Sequence, residues 1–162
     1  MIIGGIAVLV WGEPRTTQDI DVTVSVPEDG LADFVDLLRS RLTVLPANPV
    51  DFFQGTHVLP VTTPTGVSID IIRAGLPYEE QAIRRAVLRD LGPVRIRVCT
   101  AEDLIVHKLA STRPRDREDV VGIVARQRLL LDRSYLDPLV QSLSETLEDP
   151  EIWARYQRLM EV

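Results

Sequence analysis

The 162-residue sequence has one cysteine, Cys99, and one lysine, Lys108, and only 5% of its residues are aromatic. A single cysteine forms no intrachain disulfide, which excludes a disulfide-stabilised secreted scaffold, and Cys99 is predicted to be a core residue. No apolar run approaches the roughly 20 residues that span a bilayer, and the first residues lack the basic region of a secretion signal. We therefore expect a cytoplasmic protein that has no membrane partner.

The composition is that of a globular protein, with 45% hydrophobic and 26% charged residues. This composition excludes a disordered tail and a collagen-like fibre. The length suits one core with a small helical appendage. We predict a catalytic-type core over residues 1–99 and a helical part over 100–162 that packs on it as a single compact unit.

Charge is distributed unevenly along the chain. Residues 1–83 carry 4 arginines against 11 acids, residues 84–133 carry 12 basic residues against 7 acids, and residues 134–162 carry 2 against 6. An acidic first half and a basic middle suit a site that gathers cations on one wall and phosphate on the other, whereas a duplex-DNA binder is usually basic overall. The alternative is that the arginines only solvate helix faces.

Arginine outnumbers lysine by seventeen to one. A coding bias toward arginine explains the ratio, but it does not explain why position 108 has a lysine in place of an arginine. An ammonium is a compact point charge that suits a single phosphate oxygen, while a guanidinium prefers bidentate contacts. Lys108 is therefore a candidate phosphate ligand, and a chance surface lysine is the alternative.

Hydrophobic periodicity predicts strands and helices in alternation over the first hundred residues. Strands are expected near 1–3, 19–26 and 94–98, with an antiparallel hairpin of 57–62 and 67–72 in which Pro60 marks an edge strand. Helices are expected at 6–11, 31–42 and 77–91, and residues 43–56 are predicted to be irregular, with a short strand near 50–53.

From residue 100 onward the pattern is helical, beginning with Thr100 as an N-cap. Further helices are predicted over about 115–130, 135–147 and 149–160. The fold class is therefore α/β (α+β), with a small mixed sheet flanked by helices and a helical C-terminal part.

Asp19 and Asp21 lie two residues apart on a predicted strand, so both carboxylates project from one face and suit a hard divalent metal. Asp70 lies in an apolar strand, where an unpaired carboxylate needs compensation. If the two strands are neighbours, the three carboxylates form the protein half of a phosphoryl-transfer metal site. Taken singly, each aspartate could equally be structural.

Gly4-Gly5 stands at a predicted strand-to-helix junction, and thirteen residues separate it from Asp19. Glycines there let the backbone approach an anion, and the N-terminus of the helix attracts phosphate. A tight packing turn is the other interpretation.

The order of these motifs resembles the nucleotidyltransferase superfamily, in which a Gly-Gly or Gly-Ser turn precedes Asp-x-Asp and a third carboxylate follows on a later strand. Segments 100–109 and 113–120 further resemble the bacterial branch that contains the AbiEii-type toxins and their uncharacterised relatives. The matching segments span about residues 2–121.

The resemblance implies a role for each matching residue. Gly4 and Gly5 would hold nucleotide phosphates, and Asp19, Asp21 and Asp70 would bind Mg²⁺, with Mn²⁺ as a substitute. Lys108 would neutralise the triphosphate. The remaining nucleotide-binding residues would be Arg15, Thr17, Asp116 and Asp119. Two alternatives stay open: Arg15 braces its loop, and Asp116 pairs locally with Arg113.

The resemblance implies a metal-dependent nucleotidyltransferase that moves a nucleoside monophosphate from an NTP to an acceptor. RNA ends, a protein side chain and a small cationic molecule remain open as acceptors. Relatives have a helix before the first strand, whereas this sequence starts at the strand, which motivates a second hypothesis: a catalytically silent binding or regulatory protein, for example in a toxin–antitoxin pair. A third hypothesis is an antibiotic adenylyltransferase. A homodimer or a cognate protein partner is also expected.

Overall fold

The computed structural model describes residues 1–161. The strands are β1 (Ile2–Ile3), β2 (Asp19–Val24), β3 (Thr43–Val44), β4 (Val58–Thr62), β5 (Ser68–Arg73), β6 (Val87–Leu91) and β7 (Val94–Val98). The helices are α1 (Gly4–Trp11), α2 (Leu31–Arg39), α3 (Pro49–Thr56), α4 (Pro77–Arg85), α5 (Ala101–Leu109), α6 (Pro114–Gln127), α7 (Arg133–Thr146) and α8 (Pro150–Glu161). None of the helices in the described part of the chain has the length and apolar character needed to cross a membrane.

The chain divides into two compact units. Unit 1 contains residues 1–6 and 16–99, and unit 2 contains residues 7–15 together with the helices from residue 100 onward. The boundary after Cys99 coincides with the predicted change of periodicity. The sequence did not predict that residues 7–15 would belong with the C-terminal helices.

Unit 1 is built on a seven-stranded sheet with the order β3-β4-β5-β2-β1-β7-β6. The pairs β2–β5 and β1–β7 are parallel and the other neighbours are antiparallel. The mixed sheet flanked by helices, and the helical remainder of the chain, confirm the predicted α/β (α+β) fold class. Cys99 is fully buried, as predicted.

Helices α2 and α3 contribute to an apolar core with one face of this sheet. Leu31 and Val35 of α2 and Phe53 of α3 pack with Leu59 of β4 and Ile71 of β5. These residues recur at helical spacing in the helices and at alternate positions in the strands, so each element buries one side. The strand residues at the intervening positions therefore project from the opposite face of the sheet.

The prediction that residues 43–56 are irregular is wrong, because α3 occupies Pro49–Thr56. Pro49 stands at the start of the helix, where a missing N–H costs nothing, and Phe53 anchors the helix in the core. The prediction treated Pro49 as a residue that ends regular structure, whereas Pro49 begins a helix.

The predicted helix 77–91 also ends early, because α4 stops at Arg85 and residues 87–91 form β6. β6 pairs antiparallel with β7 around a turn in which Gly92 has φ +60°. A left-handed glycine between two short strands is typical of a hairpin.

The prediction that Pro60 lies on an edge strand is wrong, since β4 lies between β3 and β5. The Pro60 carbonyl accepts a hydrogen bond from the Leu45 N–H at 3.2 Å. The backbone polar groups of Pro60 therefore face the β3 side, where pairing is short, and the missing N–H removes no bond to β5.

Unit 2 contains the predicted C-terminal helices. Thr100 caps α5, because its hydroxyl oxygen accepts a hydrogen bond from the Asp103 N–H. Arg126 and Gln127 of α6 donate to the carbonyls of Gly12 and Trp11 at 2.8 and 3.0 Å. These bonds hold the segment 7–15 to the helices of unit 2.

Candidate active site

The carboxylates predicted to bind metal lie on neighbouring strands of unit 1. β2 and β5 are parallel, with Asp21 paired to Asp70 and Asp19 paired to Ser68. Paired residues project from the same face of a sheet, and so do residues two apart on one strand. The backbone therefore brings Asp19, Asp21 and Asp70 to one face of unit 1.

The opposite face of the same two strands is apolar. Val22, Ile69 and Ile71 pack into the core that α2 and α3 share with the sheet. Because strand side chains alternate, this packing directs the three carboxylates away from that core. Asp21 and Asp70 are half-buried, and Asp19 is exposed.

The side chains of this face do not form a ready metal site. Within residues 1–161, no three His, Cys, Asp or Glu side chains are grouped so that they could hold a metal ion. The shared face follows from strand register, whereas a cation site shared by all three carboxylates stays a prediction.

Gly4 lies directly against the carboxylate of Asp21. A Cβ atom at Gly4 would be 1.8 Å from Asp21 Oδ2 and 2.6 Å from its Cγ, and Gly4 has φ +61°. Both the contact and the left-handed backbone require glycine. The turn before α1 is thus shaped so that its backbone meets the β2 carboxylate at close range.

Gly5 makes a similar contact with Thr17. A Cβ atom at Gly5 would be 2.3 Å from Thr17 Oγ1, and the Thr17 hydroxyl donates to the Asp19 carbonyl at 3.2 Å. Thr17 therefore connects the glycine turn to the start of β2. Five of the predicted site residues lie together in unit 1 in this way: Gly4, Gly5, Thr17, Asp19 and Asp21.

A second group of predicted residues forms a buried charge cluster in unit 2. Lys108 Nζ hydrogen-bonds to Asp116 and lies 2.9 Å from Asp119 Oδ2. Arg15 donates from Nε and Nη2 to the two oxygens of Asp119 at 2.7 and 2.8 Å, and Arg113 Nε donates to Asp116 Oδ2 at 2.6 Å. We call these five side chains the Lys108 cluster.

The Lys108 cluster keeps both of its acids ionised. Burial alone would raise the pKa of Asp116, but hydrogen bonds from Lys108, Ser111 and Arg113 outweigh it and lower the pKa. Burial would likewise raise the pKa of Asp119, and hydrogen bonds from Arg15 and Lys108 lower it overall. With three cations and two anions, the cluster has a formal charge of +1.

These contacts bear on the alternatives that the sequence left open. Lys108 is only 6% exposed, so it is not a surface lysine. Arg15 braces its loop through Asp119, and Asp116 pairs locally with Arg113. Direct nucleotide contacts by Arg15, Lys108, Asp116 and Asp119 stay predictions.

The sequence analysis did not single out Thr23 as a residue of the carboxylate face. Thr23 follows Asp21 by two residues on that face. Thr23 is fully buried, and its hydroxyl has no hydrogen-bond partner among the described residues. A period-2 continuation of Asp-x-Asp would have placed it on that face. The face thus combines exposed and half-buried carboxylates with a buried hydroxyl.

A family model matches nearly the whole chain. A family model described as nucleotidyltransferase of unknown function (DUF6036) matches residues 1–159. The chain is also similar to the solved structure of an antigenic nucleotidyltransferase-like protein from Paracoccidioides brasiliensis, with 15% identity, a TM-score of 0.49, and coverage of 91% of this chain and 80% of that one. No curated protein matches the chain.

Replacing Gly4 should disturb the turn and the carboxylate together. Gly4→Ala should lower the free energy of unfolding by at least about 1–2 kcal/mol, because a left-handed alanine is strained and its Cβ displaces Asp21. Urea unfolding measures this loss. Gly55→Ala is the control, since nothing lies within 4 Å of its Cβ and it is helical. A Gly4→Ala protein as stable as the parent would contradict the close approach.

The Lys108 cluster should make stability depend on pH. Folding lowers the pKa of Asp116 and Asp119, so their contribution is complete above the unfolded carboxyl value of about 3.9 and is lost as pH falls through the lower folded values. Asp119→Asn should cost about 1.5–3 kcal/mol at pH 7 and flatten the loss between pH 5 and 2.

Urea unfolding at pH 7, 4 and 3 tests this expectation. Asp36→Asn is the matched control, because the side chain of Asp36 is 74% exposed and its pair with Arg39 is 3.5 Å long. An Asp119→Asn protein with the pH dependence of the parent would show that the cluster does not carry the effect.

Proposed function

Because the chain belongs to the family of nucleotidyltransferases of unknown function, DUF6036, we propose that it transfers a nucleoside monophosphate from an NTP to an acceptor with the help of a divalent metal ion. The observation that carries the proposal is the parallel register of β2 and β5, which pairs Asp21 with Asp70 on the face where Gly4 meets Asp21. Carboxylates and a glycine turn at the start of a helix are the groups that this reaction needs.

The chemistry of the donor set, three carboxylates, suits a hard cation. Asp19 and Asp70 make no ion pair with any residue in the described range 1–161, in contrast to the compensated acids of the Lys108 cluster. Asp19, Asp21 and Asp70 would hold Mg²⁺ or Mn²⁺ through carboxylate oxygens. A bound cation of this kind offsets the charge of the triphosphate and makes the acceptor hydroxyl more acidic.

The glycine turn would position the triphosphate. α1 begins at Gly4, so the first backbone N–H groups of the helix have no acceptor within it and can donate to phosphate oxygens. The absence of a side chain at Gly4 and Gly5 allows Asp21 and Thr17 to lie against the backbone of this turn. Thr17, which contacts this turn, would help to orient it.

The Lys108 cluster would neutralise part of the charge of an anionic ligand. Its formal charge of +1 suits an anionic ligand, and Asp116 and Asp119 hold Lys108 and Arg15 in fixed positions. Lys108 would supply the positive charge for such a ligand. Arg15 would act mainly by holding the loop that precedes β2.

In the proposed reaction, the acceptor oxygen attacks the α-phosphorus while the bond to the β-phosphate oxygen breaks and pyrophosphate leaves. We assign the proton of the acceptor hydroxyl to Asp70, whose strand β5 lies one strand further from β1 than β2 does. Catalysis would come mostly from positioning and charge stabilisation.

Calorimetry and label transfer test the proposal. The parent protein should bind NTP only with Mg²⁺ and should transfer α-labelled nucleotide to an acceptor in a panel of RNA, proteins and small amino alcohols. Asp21→Asn should lower transfer about a hundredfold or more, whereas Asp29→Asn, in an exposed 3₁₀ helix, should not change it. NTP binding without any transfer would favour the silent binding protein, and no Mg²⁺-dependent NTP binding would contradict the proposal.

A further inference from the structure

An apolar groove lies on unit 1, beside the β3 end of the sheet. Its volume is about 570 Å³, within the range of small-molecule sites, and five of its lining residues are apolar: Leu45, Pro46, Ala47, Phe52 and Pro60. The groove was not predicted, because α3, which supplies Phe52, was expected to be irregular chain.

Strand register connects this groove to the carboxylates. Pro60 pairs with Asp70 across β4 and β5, and Leu45 hydrogen-bonds to Pro60 from the next segment outward. Leu59 and Val61 point into the core, so Pro60 projects from the other face, which is the face of Asp70. Neighbouring strands are about 4.8 Å apart, so the groove begins one strand away from Asp70.

Large apolar side chains are left exposed in the groove. Phe52 is 41% exposed and Leu45 is 56% exposed, whereas the adjacent Phe53 is fully buried and stacks on Phe34. α3 therefore uses Phe53 for the core and presents Phe52 to the groove. An exposed patch of aromatic and aliphatic side chains in an open groove is a feature of binding surfaces.

The charge of the groove limits what it can bind. Asp51 is the single ionisable residue that lines it, and its carboxylate has no ion-pair partner in the described part of the chain. Asn48 adds an amide. Because unit 1 carries 11 acids against 8 arginines, its net charge of −3 favours a cation over a polyanion.

We infer that this groove binds the acceptor of the proposed nucleotidyl transfer, and that the acceptor is a small amino alcohol with an apolar or aromatic body. The inference rests on the proposed function. The ring or alkyl body would lie on Phe52 and Leu45, the ammonium group would pair with Asp51, and the hydroxyl would reach Asp70. The acceptor oxygen bonds to the α-phosphorus, the hydroxyl proton passes to Asp70, and pyrophosphate leaves.

Other occupants fit the observations less well. An RNA end would bring phosphates to an acidic surface that has no arginine in the groove lining. A second copy of the chain would need roughly 800 Å² per partner, more than a groove of seven lining residues offers. Both remain outcomes of the test.

An NMR titration without nucleotide tests the groove directly. The probe is 2-amino-1-phenylethanol, which has a ring, a hydroxyl and an ammonium group. Its matched analogues are 1-phenylethanol, which lacks the amine, ethanolamine, which lacks the ring, and mandelate, in which a carboxylate replaces the aminomethyl group. The probe should shift the amide resonances of residues 45–52, and each analogue should bind at least tenfold more weakly.

Two variants and two controls locate the contacts. Phe52→Ala and Asp51→Asn should each weaken probe binding about tenfold, the loss expected for one ionic or aromatic contact. Leu37→Ala and Asp36→Asn replace exposed residues of α2 outside the groove and should leave binding unchanged. Equal binding of the probe and 1-phenylethanol, or shifts that spare residues 45–52 and lie away from Pro60 and Asp70, would overturn the inference.

Parallel measurements separate this inference from the proposed function. If the parent protein binds Mg²⁺–NTP but the probe does not enter the groove, the acceptor inference is wrong and the proposed function stands. If the probe binds as expected and NTP does not, the proposed function fails and with it the acceptor role of the groove. If a single-stranded RNA oligonucleotide shifts the resonances of the groove, its ligand is RNA and not an amino alcohol. If raising the protein concentration shifts them, the groove binds a second copy of the chain.

Discussion

Parallel pairing of β2 with β5 sets Asp21 beside Asp70, and two adjacent carboxylates on one sheet face repel each other. The register persists because Val22, Ile69 and Ile71 occupy the core on the other face. A slip of one residue would turn the aspartates into that core and expose the apolar side chains. Apolar packing in unit 1 therefore fixes the position of the carboxylates, and an external cation would relieve their repulsion.

The two units treat buried charge differently. In unit 2, Asp116 and Asp119 receive hydrogen bonds from Lys108, Arg113 and Arg15, which hold their pKa values below the ordinary range. In unit 1, Asp19 and Asp70 have no such ion pairs within residues 1–161. Acids that are paired with cations stabilise and position those cations. Asp19 and Asp70, which share one face and have no ion pairs within residues 1–161, are suited to a metal ion. This difference in pairing explains why we propose a metal-binding role for the acids of unit 1 and a positioning role for Asp116 and Asp119.

Local patterns predicted much of the fold. Alternation around Asp19 and Asp21 predicted β2, and Thr100 predicted the start of α5. The single lysine, singled out by composition alone, is buried among ion pairs. Pro49 and Pro60 were misread because the cost of a proline depends on whether its missing N–H had a partner, which is a tertiary property. The groove was missed for the same reason, and the contact of Gly4 with Asp21 depends on a β1–β2 pairing that no local pattern contains.

Paramagnetic broadening by Mn²⁺ tests the central claim most directly, because it reports where a divalent cation binds without requiring an acceptor. Substoichiometric Mn²⁺ should broaden the amide resonances of Gly4, residues 19–21 and residues 68–70 before all others. Excess Mg²⁺ should restore them, and Asp70→Asn should weaken the effect. Broadening centred on other acidic segments, such as residues 28–29 or 79–80, or no selective broadening at all, would contradict a metal site on this face.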